Sequence, residues 1–193
     1  MPVDYLFIVR HGETRANVDG IEAGPLDYPL TKKGRKDARF IARTLSKIEI
    51  EAVYSSPVFR AVETAGILAK PHRLKVKTLE ELTEAKIKSK FVGKKGRHHI
   101  LESPDAFDET NAQLLGRTAK AIAIIKKEEK GNVIIVSHGD VISAMLESVV
   151  ERKITTQRYY VMHPEPASLC IVDAKDRPFL MTYNYRRKMF SGF

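Results

Sequence analysis

Two stretches of this chain, Tyr5-Leu6-Phe7-Ile8-Val9 and Val133-Ile134-Ile135-Val136, run through branched and aromatic residues with no polar alternation. That is how a strand reads when it lies in a mostly parallel sheet covered on both faces. Ala52-Val53-Tyr54-Ser55 is a shorter strand, and Leu74-Lys75-Val76-Lys77-Thr78-Leu79 alternates as a half-buried strand does. Between these runs the period changes to that of a helix. Ala38, Phe40, Ile41 and Leu45 form an apolar stripe behind Thr31, which predicts an N-cap at Thr31 and a helix to about Ser46. Ser56-Pro57 predicts a cap with proline at the first helical position, opening a helix through about Ala69. Further helices are expected over about 108–127 and 141–151, and the residues between Val9 and Leu30 read as a long loop. Two late strands, about 169–172 and 179–182, flank the turn-like Asp173-Ala174-Lys175-Asp176-Arg177-Pro178 and predict an antiparallel hairpin at a sheet edge. The alternation of strand and helix predicts an α/β fold, a three-layer α/β/α sandwich with a mostly parallel central sheet. From about 80 to 107 neither period holds. Gly93, Gly96 and Pro104 punctuate a basic run of Lys86, Lys88, Lys90, Lys94, Lys95 and Arg97, which reads as a small lid inserted over the sheet. The 193 residues suit a single domain carrying that insertion.

Both uninterrupted runs end in histidine, the first in Arg10-His11-Gly12-Glu13-Thr14 and the second in Ser137-His138-Gly139. Ligands of such sheets bind beyond the carboxyl ends of the strands. Two imidazoles beside glycine, with an arginine next to the first, suit phosphoryl chemistry, which needs a nucleophile, positive groups on the equatorial oxygens and an acid for the departing oxygen.

Those two blocks, together with Asn17, Ser55-Ser56-Pro57-Val58-Phe59-Arg60-Ala61-Val62-Glu63-Thr64-Ala65 and the weaker Pro29-Leu30-Thr31 followed by Gly34, resemble the histidine phosphatase superfamily. This is the phosphoglycerate mutase-like family. The resemblance spans roughly residues 4–150. It implies that His11 attacks phosphorus and becomes a phosphohistidine, which water or a second acceptor cleaves. Attack needs a neutral imidazole with one nitrogen free, so the other should donate to a backbone carbonyl. By the same resemblance Arg10 and Arg60 form a phosphate clamp, a role suited to the paired donors of guanidinium. His138 donates to the same oxygens, assisted by backbone N–H groups near Gly139 at a helix N-terminus. Asn17 makes a weaker polar contact, while Glu13 and Thr14 shape the loop. Three carboxylates, Glu80, Glu81 and Glu84, stand where the acid is expected. Leu82-Thr83-Glu84 fits the family's pattern best, with Glu81 as runner-up.

Composition changes this picture little. Lys and Arg number 33 against 24 Asp and Glu, a formal charge of +9 that would draw anionic substrates toward the pocket. No zinc-finger spacing, glycine-rich nucleotide loop or aromatic RNA-binding motif accompanies the charge, so nucleic acid is not the expected partner. No apolar run suggests a membrane span, and Met1-Pro2-Val3-Asp4 lacks the basic and apolar regions of an export signal, which makes the cytoplasm the expected location. Cys170 is the single cysteine and reads as a small buried hydrophobe. His98-His99 are adjacent and lack a third ligand at a recognisable spacing, so they read as a solvated basic loop; His72 and His163 receive the same bland reading. Neither a metal nor a cofactor is expected for a phosphatase; a mutase would use 2,3-bisphosphoglycerate.

Several departures from the family pattern bear on activity. Ala23-Gly24 replaces its glutamine-glycine step, Ala16-Asn17 stands where cofactor-dependent phosphoglycerate mutases have Trp-Asn, and their Glu-Arg-His-Tyr-Gly block is absent. A mutase must shield its phosphohistidine from water, which favours a larger lid than about two dozen residues. The sequence therefore favours a phosphomonoester hydrolase acting on a small phosphorylated metabolite, with phosphoglycerate mutase as the alternative. A non-catalytic phosphate-binding module is the competing class, and intact Arg10, His11, Arg60 and His138 argue against it. Homodimerisation stays open.

Overall fold

In chain order the elements are β1 (Val3–Arg10), α1 (Arg15–Asp19), α2 (Lys32–Leu45), β2 (Ala52–Ser55), α3 (Phe59–Ala69), β3 (Val76–Thr78), α4 (Asn111–Glu128), β4 (Gly131–Ser137), α5 (Gly139–Val150), β5 (Leu169–Asp173) and β6 (Phe179–Tyr185). They are seen in a computed structural model that describes residues 3–96, 106–150 and 163–187, the side chains of 148–150 excepted. The six strands form one sheet in the order β3-β2-β4-β1-β5-β6. The first four are parallel to one another, while β5 and β6 run antiparallel along the other edge.

Strand side chains alternate between faces, and both faces are covered, which is why β1 and β4 carry no polar residue in their centres. Leu6, Ile8, Val133, Ile135, Cys170 and Val172 pack with Leu114, Ala121, Ile122 and Ile125 of α4 and with Ile142 and Met145 of α5. On the other face Phe7, Val9, Val53, Ile134, Val136 and Leu169 pack with Ile41, Ala42 and Leu45 of α2 and with Ala61, Ala65 and Leu68 of α3. The sandwich expected from the pattern is the one observed. Cys170 lies in this core at 1% exposure, where burial pushes its thiol up to about 11.

Register brings the functional strand ends level. Arg10 stands beside Ser137 and Ser55 beside Val136, and the ladder continues one step past each strand. His11 N–H donates to Ser137 O at 2.9 Å and Ser56 N–H to Val136 O at 2.9 Å. His11, Ser56 and His138 therefore emerge together at the rim.

Several boundaries differ from expectation. The long loop after β1 contains α1, whose capping box joins Thr14 to Asn17 and which ends on Gly20 in the left-handed region at φ 64°. Helix α3 opens at Phe59 with Val58 at its N-cap, later than Ser56-Pro57 predicts, because Ser56 Oγ accepts from Val58 N–H at 3.3 Å in a local turn instead of capping the helix. Strand β6 runs on to Tyr185, and α5 begins at Gly139, immediately after His138.

The described part of the insertion has two short 3₁₀ turns, Glu80–Leu82 and Ser89–Phe91, and a small apolar cluster in which Phe91, Val92 and Phe107 pack on Ile87 and Ala106. Backbone bonds stitch it to the loop after α1: Glu22 N–H to Lys94 O at 2.9 Å, Gly93 N–H to Glu22 O at 2.8 Å and Gly96 N–H to Gly20 O at 3.0 Å. Arg97, His98, His99 and Pro104 lie outside the described residues. Among the described residues no helix is long and apolar enough to cross a membrane.

Candidate active site

The loop after β1 is held from three sides. Gly12 N–H donates to Thr64 Oγ1 at 3.0 Å, and Thr64 Oγ1 donates to Arg60 O at 2.8 Å, so the second motif fixes the first. Glu13 Oε1 accepts from Thr31 Oγ1 at 2.8 Å, and Thr31 N–H donates to Glu13 O at 2.8 Å. Gly34 sits so close to this loop that a methyl group there would overlap the Glu13 backbone, which explains the glycine three residues after the Thr31 cap. Glu63 completes the frame by accepting from Leu30 N–H at 3.0 Å and Arg35 Nε at 2.6 Å.

Inside this frame the two motif histidines face each other, with ring centroids 5.2 Å apart. His11 is 2% exposed, and its Nδ1 lies 2.9 Å from Gly12 O. A carbonyl can only accept, so Nδ1 carries the hydrogen and Nε2 keeps its lone pair. Burial holds the His11 pKa well below its ordinary 6.5; the neighbouring His138, Arg10 and Arg60 push the same way, against the opposing bond to Gly12. This imidazole is neutral at neutral pH. His138 is fully buried; its Nε2 lies 2.9 Å from Ser56 Oγ and its Nδ1 3.8 Å from Glu84 Oε1.

Arg60, on the first turn of α3, is 1% exposed. It donates through Nη2 to Gly24 O at 2.9 Å and to Glu84 Oε2, and through Nη1 to Leu26 O at 3.2 Å. A surface charge is excluded by that burial. Ser137 Oγ donates to Leu82 O at 2.7 Å, tying the end of β4 to the turn that leads to Glu84. Of the three candidate acids, Glu84 adjoins Arg60 and His138, whereas Glu81 pairs with Lys120 at 2.7 Å, a bond that is the main reason its pKa is lowered. Glu80 lies on the same 3₁₀ turn and stands 3.5 Å from Thr83 Oγ1. Arg10 is 4% exposed and donates through Nη1 to Pro164 O at 2.6 Å. Asn17 uses Oδ1 to accept from Thr14 N–H and Oγ1, each at 3.0 Å, so the group it could offer a phosphate is Nδ2. Gly139 opens α5 directly behind His138.

The model of the histidine phosphatase superfamily (branch 1) matches residues 6–185. The chain belongs to this superfamily. It is 30% identical over 212 residues to a metal-independent phosphoserine phosphatase of Arabidopsis thaliana, covering 98% of this chain and 89% of that protein. It is 31% identical over 179 residues to a 2,3-bisphosphoglycerate-dependent phosphoglycerate mutase of Thermoplasma acidophilum, covering 87% and 86%. In structure it resembles a mycobacterial glucosyl-3-phosphoglycerate phosphatase solved with VO3, with a TM-score of 0.81 at 23% identity over 94% of this chain and 98% of that one, a likeness that bears on fold. The chain is a phosphomonoesterase of the histidine phosphatase type.

Three residues of this histidine phosphatase that were not among the expected site residues contact them in the structure. His163, read there as a bland loop histidine, lies with Nδ1 3.0 Å from Arg10 Nη1 and Nε2 3.3 Å from Asp140 Oδ1. Its ring occupies the space that a side chain at Gly139 would need. Ser56 and Thr64 also turn out to contact site residues. Both lie in the 55–65 motif, so that signal was present in the sequence; nothing near His163 announced its partners. Among the described residues no cluster of His, Cys, Asp and Glu could hold a metal ion.

Proposed function

We propose that the protein hydrolyses a small phosphorylated metabolite in two steps through a phosphohistidine on His11. The observation that carries this reading is the His11 hydrogen bond from Nδ1 to Gly12 O, 2.9 Å long, in a site whose burial keeps the ring neutral. In the first step Nε2 attacks phosphorus as the bond to the ester oxygen breaks, and Glu84 delivers its proton to that oxygen. The alcohol leaves. In the second step Glu84, now a carboxylate, takes a proton from water as the water oxygen attacks phosphorus, and inorganic phosphate departs from a regenerated His11. Arg10, Arg60 and His138 stabilise the charge on the equatorial oxygens, with Asn17 Nδ2 and the N–H groups near Gly139 contributing. Glu84 adjoins Arg60 and His138, so a phosphoryl group drawn to those donors comes beside its carboxyl group. Glu81, bonded to Lys120 on α4, is poorly placed for the same task.

Brief exposure to substrate followed by an alkaline quench is expected to leave acid-labile phosphate on His11, located by mass spectrometry. Label on a serine, or full activity in His11→Ala, would overturn the assignment. The similarity to the Thermoplasma acidophilum mutase favours a second reading, phosphoglycerate mutase activity, in which the phosphoryl group returns to a second acceptor. Incubating 3-phosphoglycerate with and without 2,3-bisphosphoglycerate separates the two. Hydrolysis gives free phosphate in both arms, whereas mutase activity gives 2-phosphoglycerate and depends on the bisphosphate.

A further inference from the structure

Arg10 Nη1 carries two hydrogens and meets two acceptors, Pro164 O at 2.6 Å and His163 Nδ1 at 3.0 Å. Guanidinium has no lone pair to offer, so the imidazole nitrogen accepts and its proton sits on Nε2. That nitrogen faces Asp140 Oδ1 at 3.3 Å, on a side chain only 10% exposed in the first turn of α5. At this distance the contact is electrostatic, without the geometry of a hydrogen bond, and the negative charge favours a hydrogen on the nitrogen that faces it, the tautomer that His163 needs in order to hold Arg10. Gly139 makes the arrangement possible, because any side chain there would strike the His163 ring. The surrounding backbone is fixed as well: Arg10 N–H donates to Ser168 O at 3.2 Å and Ala167 N–H to His11 O at 3.1 Å, so residues 163–168 are tied to the first motif.

We propose that His163, oriented by Asp140, is a positioning residue that sets the rotation of the Arg10 guanidinium for the transition state. Arginine has four rotatable side-chain bonds and loses much freedom when its fork is fixed. With Nη1 held by two protein acceptors, the direction in which the guanidinium presents its fork follows from the two anchors. The third motif thus reaches the arginine of the first through a residue belonging to neither. The catalytic strand ends are coupled without contact between Asp140 and substrate.

This inference rests on Arg10 acting in the phosphate clamp, and the experiment separates the two claims. The probes are orthovanadate, which takes the five-coordinate geometry of the transition state, and inorganic phosphate, which does not. In the full chain, His163→Leu is expected to raise the vanadate inhibition constant about tenfold and lower kcat by a similar factor, a coupling within the range for groups in direct contact. The phosphate inhibition constant should change by less than about threefold, since uniform binding is not what is lost. In an Arg10→Ala background the same substitution should cost less than about twofold, because nothing remains to be positioned. His163→Asn, whose Oδ1 can accept from Arg10 as Nδ1 does, should recover most of the loss. Equal losses in the two backgrounds, or an Asn variant as impaired as the Leu variant, would overturn the positioning role. If Arg10→Ala leaves vanadate binding at the wild-type level, the clamp assignment fails and this inference with it.

Discussion

Arg60 and Lys94 are both basic, yet the first is 1% exposed and held by Gly24 O, Leu26 O and Glu84, while the second is exposed and anchored through its backbone to Glu22 and Phe91. The same contrast separates the regions around them. The cradle stands on the ends of buried parallel strands, and each of its loops is pinned by another motif. Among the described residues the lid has two 3₁₀ turns, a small apolar cluster and backbone bonds to Gly20 and Glu22. Groups proposed to meet a transition state are held by buried packing and by bonds between motifs, whereas the described lid residues rest on a small apolar cluster and a few backbone bonds, a setting suited to contacts with the variable part of a substrate. Substitutions in the cradle should therefore change kcat, and substitutions in the lid should change KM.

The sharpest test of that division is Glu84→Gln, which keeps the shape but not the proton. On an alkyl phosphate kcat should fall by about 100- to 10,000-fold, the range of general acid catalysis. On a nitrophenyl phosphate, whose leaving group needs little protonation, the loss should be far smaller. Equal losses on both substrates would remove Glu84 from the role, and Glu81→Gln would then be put to the same comparison.

Arg60→Ala should lower kcat by about 100-fold, since it deletes charged donors that act most strongly on the transition state. A rise in KM with kcat preserved would place Arg60 with the lid rather than the cradle. Replacing Lys94 and Lys95 together by Ala should do the reverse: KM for an anionic substrate should rise by about threefold, more at low salt, with kcat held. A kcat effect as large as that of Arg60→Ala would break the contrast.

The smallest effect concerns the cost of keeping His11 buried and neutral. Its folded-state pKa lies below the ordinary 6.5, so below pH 6.5 the unfolded chain binds the proton that the folded chain refuses. The penalty is absent above that pH and grows as pH falls toward the folded value. Urea midpoints measured from pH 7.5 down to 4.5 should drop more steeply for the wild type than for His11→Gln. Parallel slopes would mean that His11 titrates alike in both states.

What could be read from the sequence followed from how local each feature is. The centres of β1 and β4 were legible because strands covered on both faces admit no polar residue, and Thr31 was legible because its hydroxyl caps α2, accepting from Gly34 N–H at 2.9 Å. Helix α1 was hidden because Asn17 reads as a ligand while it also closes a capping box with Thr14, and a five-residue helix leaves no periodicity to detect. Ser56 looked like a helix cap, yet its hydroxyl serves Val58 N–H and His138. The Leu82-Thr83-Glu84 pattern pointed to the carboxylate that adjoins Arg60, while the pairing of the runner-up Glu81 with Lys120 joins it to another helix and leaves no local signal. His163 lies farthest beyond local reading, because its contact with Arg10 joins residues 153 apart in sequence and depends on β5 lying beside β1.

The core position of Cys170 has a practical consequence for watching this molecule at work. Its thiol is 1% exposed and its pKa is raised to about 11, and the sequence contains no tryptophan. To maleimide reagents, and in the indole emission band, the folded protein is close to blank. One cysteine introduced at Lys95, or one tryptophan at Phe91, would report from the lid alone against almost no background, so a change in the surroundings of that segment during a single turnover, or its absence, can be recorded while the cradle stays unlabelled.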